Sequence, residues 1–294
     1  MRYLVIVNPV SGFRKGRKIW SQIEHLFAEA GEIIQVFHTE YEGHPKDIVL
    51  SYDFTTIDAI VALGGDGTMH EIINGMLNRV DQKQVPIGLV AAGTGNSLMH
   101  DLSSLDPFYC TERILSGNKM KIDLAEINHN EGKLFAFNVI GWGLPTSINM
   151  LAEKMRLLKT QRYNVASLIE IIRNPKWKVN LKVGDKKINE EYAFFLACNT
   201  MYTGKGMKMA PLAKLNDGLF DIVMLKHCSR PKLIRLFSKI FKGNHIHDDA
   251  VHYYQEEEFS VSDSKWEDLF VDGHALVKIP VNIKVLRDQV EIFC

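Results

Sequence analysis

Apolar positions along this chain follow two different rhythms. Residues 3–7 (YLVIV) form a short β-branched run that stops at Asn8-Pro9-Val10-Ser11-Gly12, and Ile19, Trp20, Ile23, Leu26 and Phe27 then recur at helical spacing. The pattern predicts strand, loop and helix. The unit repeats with a strand over residues 33–37, a short helix over 45–51 and a strand over 57–63. Ile72, Ile73, Met76, Leu77 and Val80 then mark one face of a helix, and the apolar run 87–92 ends in Gly93-Thr94-Gly95-Asn96. Strands alternating with helices predict a parallel sheet covered on both faces.

After about residue 122 the texture changes. Strand-like segments at 122–128, 134–140, 179–183, 192–198, 219–225, 269–271 and 281–285 are separated by turn residues and interrupted by two helices, at 145–173 and 231–242. This reads as a mainly antiparallel β domain. The expected fold is therefore an α/β N-terminal domain (1–122) with a parallel sheet, followed by a β-rich C-terminal domain (123–294). The final residues 289–294 can pair with either.

Composition narrows the function. The 294 residues are 46% hydrophobic and 24% charged, which excludes disorder, collagen and coiled coil. Lys+Arg and Asp+Glu are 35 each, so no global field draws the chain to nucleic acid. Cys110, Cys198, Cys228 and Cys294 form no CxxC pair and nothing after Met1 resembles a signal peptide, so a reducing cytoplasm is expected. No apolar run approaches the roughly 20 residues that span a bilayer, leaving contact with a membrane surface only.

The strongest local signal is Gly64-Gly65-Asp66-Gly67-Thr68, set between a buried strand and an amphipathic helix. Glycines there let backbone N–H groups approach an anion, and the helix adds the partial positive charge of its N-terminus. An aspartate in such a loop would repel a bare phosphate. It suits holding Mg²⁺ or taking a proton from an attacking hydroxyl, and the plain alternative is a tight turn with Asp66 near an N-cap. The loops at Asn8–Gly12 and Gly93–Asn96 also follow strands of the same sheet, and loops at the strands' carboxyl ends share one edge. Neither a Walker A sequence nor GxGxxG is present.

With these three loops, residues 64–77 (GGDGTMHEIINGML) resemble the diacylglycerol and sphingosine kinase family. The resemblance covers about residues 4–274. Gly141-Trp142-Gly143, Arg156 and Arg162, Ala210-Pro211, Asn216-Asp217-Gly218, Gly243-Asn244-His245 and Val271-Asp272-Gly273 follow in the family's order. It implies an ATP-dependent lipid kinase with the nucleotide between the domains. The implied nucleotide-site residues are Asn8, Ser11, Gly12, Thr39, Gly65, Asp66, Gly67, Thr68, Glu71, Thr94, Gly95 and Asn96. Arg156 and Arg162 match phosphate-contacting arginines; on spacing alone they would lie on a solvated helix face. Bacterial members hold a structural Mg²⁺, whose matching positions are the Lys214 and Leu219 carbonyls and the Asp217 carboxylate; the same residues also read as a plain turn.

Two departures matter. The family's last motif ends Asp-Gly-Glu, whereas this chain reads Asp272-Gly273-His274. Histidine can accept a proton near pH 7 but is a poor Mg²⁺ ligand. Asp66 and Asp272 are therefore expected to carry the chemistry, with His274 as a further base. Secondly, sphingosine kinases place a carboxylate for the lipid's amine where this chain has Asn149, two residues after Ser147. An uncharged pair favours a neutral lipid alcohol such as diacylglycerol. The alternatives are an NAD kinase, which shares the GGDGT loop, and an inactive lipid-binding regulator. Residues 231–243 set Leu233, Ile234, Leu236, Phe237, Ile240 and Phe241 against Lys232, Arg235, Lys239 and Lys242. Such a helix docks on a membrane surface or packs on its own domain.

Overall fold

The apolar runs of the first half become the strands β1 (Arg2–Val7), β2 (Ile33–His38), β3 (Ala59–Gly64) and β4 (Ile87–Ala91) in a computed structural model that describes residues 1–155, 161–204, 206–264, 268–273 and 275–294. All pair in parallel, in the order β4-β3-β1-β2. β3 and β4 are buried throughout because helices cover both faces, which is why they read as continuous apolar runs. Helix Gly16–Glu29 buries Trp20, Ile23 and Phe27, and helix Asp66–Leu77 buries Met69, Ile72, Ile73 and Met76. The latter stops at Leu77, because the Asn78 side chain turns back to donate to the Asn74 carbonyl (2.7 Å). Val80, expected on its buried face, is consequently fully exposed.

The second half is antiparallel. β5 (Lys119–His129) pairs with the long last strand β15 (Val281–Phe293), and β15 also bridges in parallel to β4 through Ile292 and Ile87. The C-terminal residues thus pair with both halves. A register shift between Leu286 and Val290, with Asp288 at φ 54°, gives β15 the bend that this requires. The segment 134–140, expected as one strand, is two: β6 (Gly132–Ala136) and β7 (Val139–Gly143). The helix expected over 145–173 is likewise two, Leu144–Lys154 and Arg162–Arg173.

The rest of the domain is built from β8 (Trp177–Val183), β9 (Lys186–Cys198), β10 (Phe220–Lys226), β11 (Val251–Glu256), β12 (Glu258–Ser264), β13 (Asp268–Val271) and β14 (Ala275–Lys278). β7, β8 and β10 all pair with β9, and Trp142, Tyr192, Phe195, Phe220 and Phe259 fill the core. β11, too polar and mixed to announce itself in the sequence, pairs along β10. Helix Arg230–Ile240 buries Leu233, Leu236 and Ile240 against Val223 and Leu225, so most of its apolar face packs on its own domain. Among the described residues no helix is long and apolar enough to cross a membrane.

Candidate active site

Because β1 lies beside β3, and β3 beside β4, the three glycine-bearing loops leave the sheet at one edge and touch. Asn8 is tied to the next strand by its N–H on the Leu63 carbonyl (2.9 Å) and to the next loop by its amide on Thr68 Oγ1 (3.1 Å). Two glycines are required by close approach. A Cβ on Gly93 would fall 2.5 Å from the Gly65 Cα, and one on Gly12, at φ 56°, would fall 2.1 Å from the Ala92 carbonyl oxygen. Ser11 N–H donates to the Asn8 carbonyl (3.2 Å), after which Gly12, Phe13 and Arg14 all adopt left-handed backbone. Asn96, also left-handed, closes its loop by donating to the Gly93 carbonyl, while its own buried side-chain oxygen has no partner among the described residues. Gly67 is half-buried at the helix start and Thr94 is exposed.

Asp66 opens helix 66–77. Its carboxylate accepts the Ser97 N–H (3.0 Å to each oxygen) and the Ser97 hydroxyl (3.2 Å). Burial pushes its pKa up to about 6; the Ser97 bonds oppose that shift and the nearby Asp272 charge adds to it. The Ser97 hydroxyl in turn accepts the Gly204 N–H of the second domain (2.9 Å). Asp101, four residues on, takes the N–H groups of Met201 (2.9 Å) and Tyr202 (3.3 Å), and burial pushes it also to about 6. Helix Ser97–Asp101 therefore grips the loop of the second domain that faces Asp66.

Asp272, expected to share the chemistry, is almost wholly enclosed. One carboxylate oxygen accepts the N–H groups of Asn138 (2.9 Å) and Val139 (3.0 Å); the other accepts Phe137 N–H (3.0 Å) and the His70 imidazole (Nδ1, 2.9 Å). One turn along, Asn74 exchanges two hydrogen bonds with the Phe135 backbone (2.8 and 2.9 Å). His70, Asn74 and Asp272 thus join the helix that carries Asp66 to the second domain. Sequence reasoning missed Ser97, Asp101, His70 and Asn74. The available signal was two polar residues at i, i+4 on a helix face that is otherwise buried.

The remaining candidates are placed unevenly around this centre. Thr39 is buried at the end of β2, its N–H on the Val7 carbonyl (2.9 Å). Glu71 accepts the Gly43 N–H (3.0 Å), and burial raises its pKa against that bond. A Cβ on Gly95 would lie 3.0 Å from an Asp66 oxygen. Arg162 is buried, not on a solvated face, and its guanidinium lies 5.9 Å from the Phe13 ring. That contact brings helix Arg162–Arg173 onto the first glycine loop. Arg156 and His274 lie outside the described residues. Asp217 accepts the Leu219 N–H (3.1 Å) within its turn, and the buried Asp123 of β5 accepts Gly218 N–H (2.6 Å). Among the described residues no three His, Cys, Asp or Glu gather as a metal cluster.

Residues 2–127 match the diacylglycerol kinase catalytic domain, and residues 138–294 match the YegS C-terminal NAD kinase beta sandwich-like domain. The chain belongs to the diacylglycerol and sphingosine kinase family. Relatives carry both names. Sphingosine kinase 1 of Arabidopsis thaliana is 27% identical over 307 residues, 88% of this chain and 63% of that protein. Diacylglycerol kinase of Bacillus subtilis is 27% identical over 276 residues, 92% and 89% of the two chains. The chain thus spans under two thirds of the length of the plant relative. Among solved structures, a diacylglycerol kinase from Bacillus anthracis superposes with a TM-score of 0.80 at 19% identity, covering 99% of this chain and 96% of the other. An NAD kinase from Archaeoglobus fulgidus in complex with ATP shares the fold more distantly, with a TM-score of 0.51 at 12% identity, covering 100% and 94%.

Proposed function

We propose that this family member transfers the γ-phosphoryl group of ATP to the hydroxyl of a neutral lipid alcohol. The observation that carries the reading is the meeting of three glycine-bearing loops around one proton-hungry carboxylate, Asp66, which faces the second domain through Ser97 and Gly204. Phosphoryl transfer needs an in-line hydroxyl, a group for its proton and positive charge around the phosphoryl oxygens. Loop N–H groups of residues 65–68 and 94–96 and the N-terminus of helix 66–77 supply fixed positive ends. Asp66 takes the hydroxyl proton, and Asp272 acts at one remove by holding His70 and hence the helix. Arg162 steadies the phosphate side of the first loop.

ATP chemistry of this kind uses Mg²⁺ to neutralise the phosphate charge. A carboxylate and two carbonyls are the hard oxygen donors that Mg²⁺ takes, so Asp217 with the carbonyls of Lys214 and Leu219 suits a structural ion. Transfer of labelled phosphate from ATP to a panel of lipid alcohols, with NAD as a control acceptor, tests the reading. Labelled NADP, or no labelled product at all, would overturn it.

Substrate choice rests on helix Leu144–Lys154, where Asn149 and Ser147 are half-buried and uncharged. A protonated amine finds no ion-pair partner at this position, so diacylglycerol should be phosphorylated faster than sphingosine in matched detergent micelles. Asn149→Asp should move the preference towards the amine. A parent enzyme that strongly prefers sphingosine would refute this assignment.

The pH profile follows from Asp66. A carboxylate whose pKa stands near 6 accepts a proton only above that value, so kcat/KM should rise through about pH 6 and then level off. Ser97→Ala deletes one bond that favours the charged form, so the acid limb should move to higher pH. Superimposable profiles for parent and variant would separate Ser97 from the proton acceptor.

A further inference from the structure

Two motifs of the second domain that lie far apart in the sequence, Ala210-Pro211 and Gly243-Asn244-His245, meet in the fold. Gly243 turns at φ 72°, and a Cβ there would fall 2.9 Å from the Pro211 side chain. The turn delivers His245 into the interior, 1% exposed, with Nε2 2.9 Å from the Met209 carbonyl oxygen. A carbonyl only accepts, so Nε2 carries the proton and donates. Burial holds the imidazole pKa below its ordinary value, so the ring is neutral and this is its one N–H. Nδ1 is buried and has no partner among the described residues. His245 thus commits its single donor to a peptide group of the loop between β9 and β10.

That peptide group starts a chain. Its nitrogen side, the Ala210 N–H, donates to the Met201 carbonyl (3.1 Å), and the nitrogen side of the Met201 peptide, the Tyr202 N–H, donates to Asp101 (3.3 Å). Two peptide groups therefore run head to tail between a buried imidazole of one domain and a half-buried carboxylate of the other. Hydrogen bonds in such a chain polarise one another, so each end strengthens the other. Met201 N–H adds a second bond to Asp101 (2.9 Å). Within the stretch that the chain closes off, Gly204 donates its N–H to the Ser97 hydroxyl (2.9 Å), which itself donates to Asp66. A Cβ on Gly95 would come 3.7 Å from the Gly204 Cα, so the tip of the loop lies directly over the glycine loop beside Asp66. Behind the chain, Leu212 N–H donates to the Tyr253 hydroxyl (3.3 Å), and Tyr253 donates to the buried Asp221. The loop is braced at its base and meets the site at its tip.

We infer that His245 is a positioning residue for phosphoryl transfer: through the Met209 and Met201 peptide groups and Asp101 it fixes the loop that sets Gly204 and Ser97 against Asp66. This role rests on the kinase reading, whereas the chain itself is measured without it. His245→Gln and His245→Asn form the discriminating pair. Glutamine carries its amide nitrogen near the place of Nε2 and can donate to Met209; asparagine carries it near the place of Nδ1 and falls short. In the full chain, His245→Asn should speed hydrogen exchange of the Ala210, Tyr202 and Gly204 amides at least about fivefold, as expected where a buried carbonyl loses its donor, while the amides of β1 and β3 keep parent rates. His245→Gln should stay within about twofold of the parent at every one of these amides.

On lipid dispersed in detergent, His245→Asn should lower kcat about tenfold or more through misplacement at the site, with KM for ATP within about twofold of the parent, and His245→Gln should restore kcat. Asp101→Asn tests the chain from its other end: it should speed exchange at Ala210, and combined with His245→Asn it should lower kcat no further than the worse single variant, because both break one chain. Parent-like exchange at Tyr202 and Gly204 in His245→Asn would overturn the inference, as would a glutamine variant that behaves like the asparagine one or single effects on kcat that multiply in the double variant. Should His245→Asn fail to fold, exchange at Ala210 in Asp101→Asn decides by itself, and a parent-like rate there would overturn the inference. Amide exchange that behaves as expected in a protein with no transfer to dispersed lipid would instead count against the kinase reading alone.

Discussion

Asp66→Asn is expected to lower turnover at least about a hundredfold while the fold survives. The side chain keeps its shape, and its carbonyl oxygen can still accept the Ser97 N–H that the carboxylate accepts at 3.0 Å. What is lost is the capacity to take a proton, a contribution of about 10²–10⁴-fold when a positioned base is removed. Stability supplies an independent check with a definite sign. Burial raises the folded-state pKa of Asp66 from 3.8 to about 6, so the ionised form is disfavoured in the fold and stability from this group declines as pH rises between those values. Removing the charge relieves that cost above pH 6, against a loss of about 0.3–1 kcal/mol from an anion at the helix N-terminus. At pH 8 the melting temperature should therefore be unchanged or higher. Turnover within a few-fold of the parent would sink the assignment of Asp66, and a much lower melting temperature would mean that the carboxylate is chiefly structural.

Asp272→Asn is expected to act in the opposite way, on stability first. Both carboxylate oxygens are occupied by donors, three backbone N–H groups and the His70 imidazole, in a position 1% exposed. An asparagine replaces one acceptor oxygen with an NH₂, which must then point at a donor. Leaving buried donors unsatisfied beside a lost charge costs about 3 kcal/mol or more. At roughly 2–4 °C per kcal/mol, the melting temperature should fall by roughly 6–12 °C. The contact between helix Asp66–Leu77 and the second domain loosens with it, so KM for the lipid should rise together with a fall in kcat. His70→Ala, which removes one of the four donors, should reproduce a smaller version of the same pattern. A variant with a parent-like melting temperature and a kcat reduced a hundredfold would show that Asp272 is a reacting group and not a post.

The parallel sheet was legible in the sequence because a strand covered on both faces must be apolar throughout, and residues 3–7, 59–63 and 87–92 are. Its three loops were legible because Asn8–Gly12, Gly64–Thr68 and Gly93–Asn96 each break such a run with small and polar residues. The polar strand β11 and the break between β6 and β7 were not. β11 is mixed in character with one partly exposed face, and the break is set by Phe137 and Asn138 turning their N–H groups to Asp272, 135 and 134 residues away. The last strand shows the same division. Its apolar alternation announces a strand, while its partners on both domains depend on the bend at Asp288.

For the site, the sequence alone determined the local features: which loops carry glycines after a strand, and that Asp66 sits at the start of a helix among glycines. Glycine spacing and helix polarity are properties of neighbouring residues and are written consecutively. The tertiary structure decided how the two aspartates divide their roles, because burial and hydrogen-bond supply come from distant segments. Burial leaves Asp66 a carboxylate with a raised proton affinity against the opposing bonds from Ser97, whereas Phe137, Asn138, Val139 and His70 fill every acceptor position of Asp272. It also decided which helix face stays bare, since Leu233, Leu236 and Ile240 found a core to enter, and Leu168 and Ile172, equally apolar in the sequence, did not.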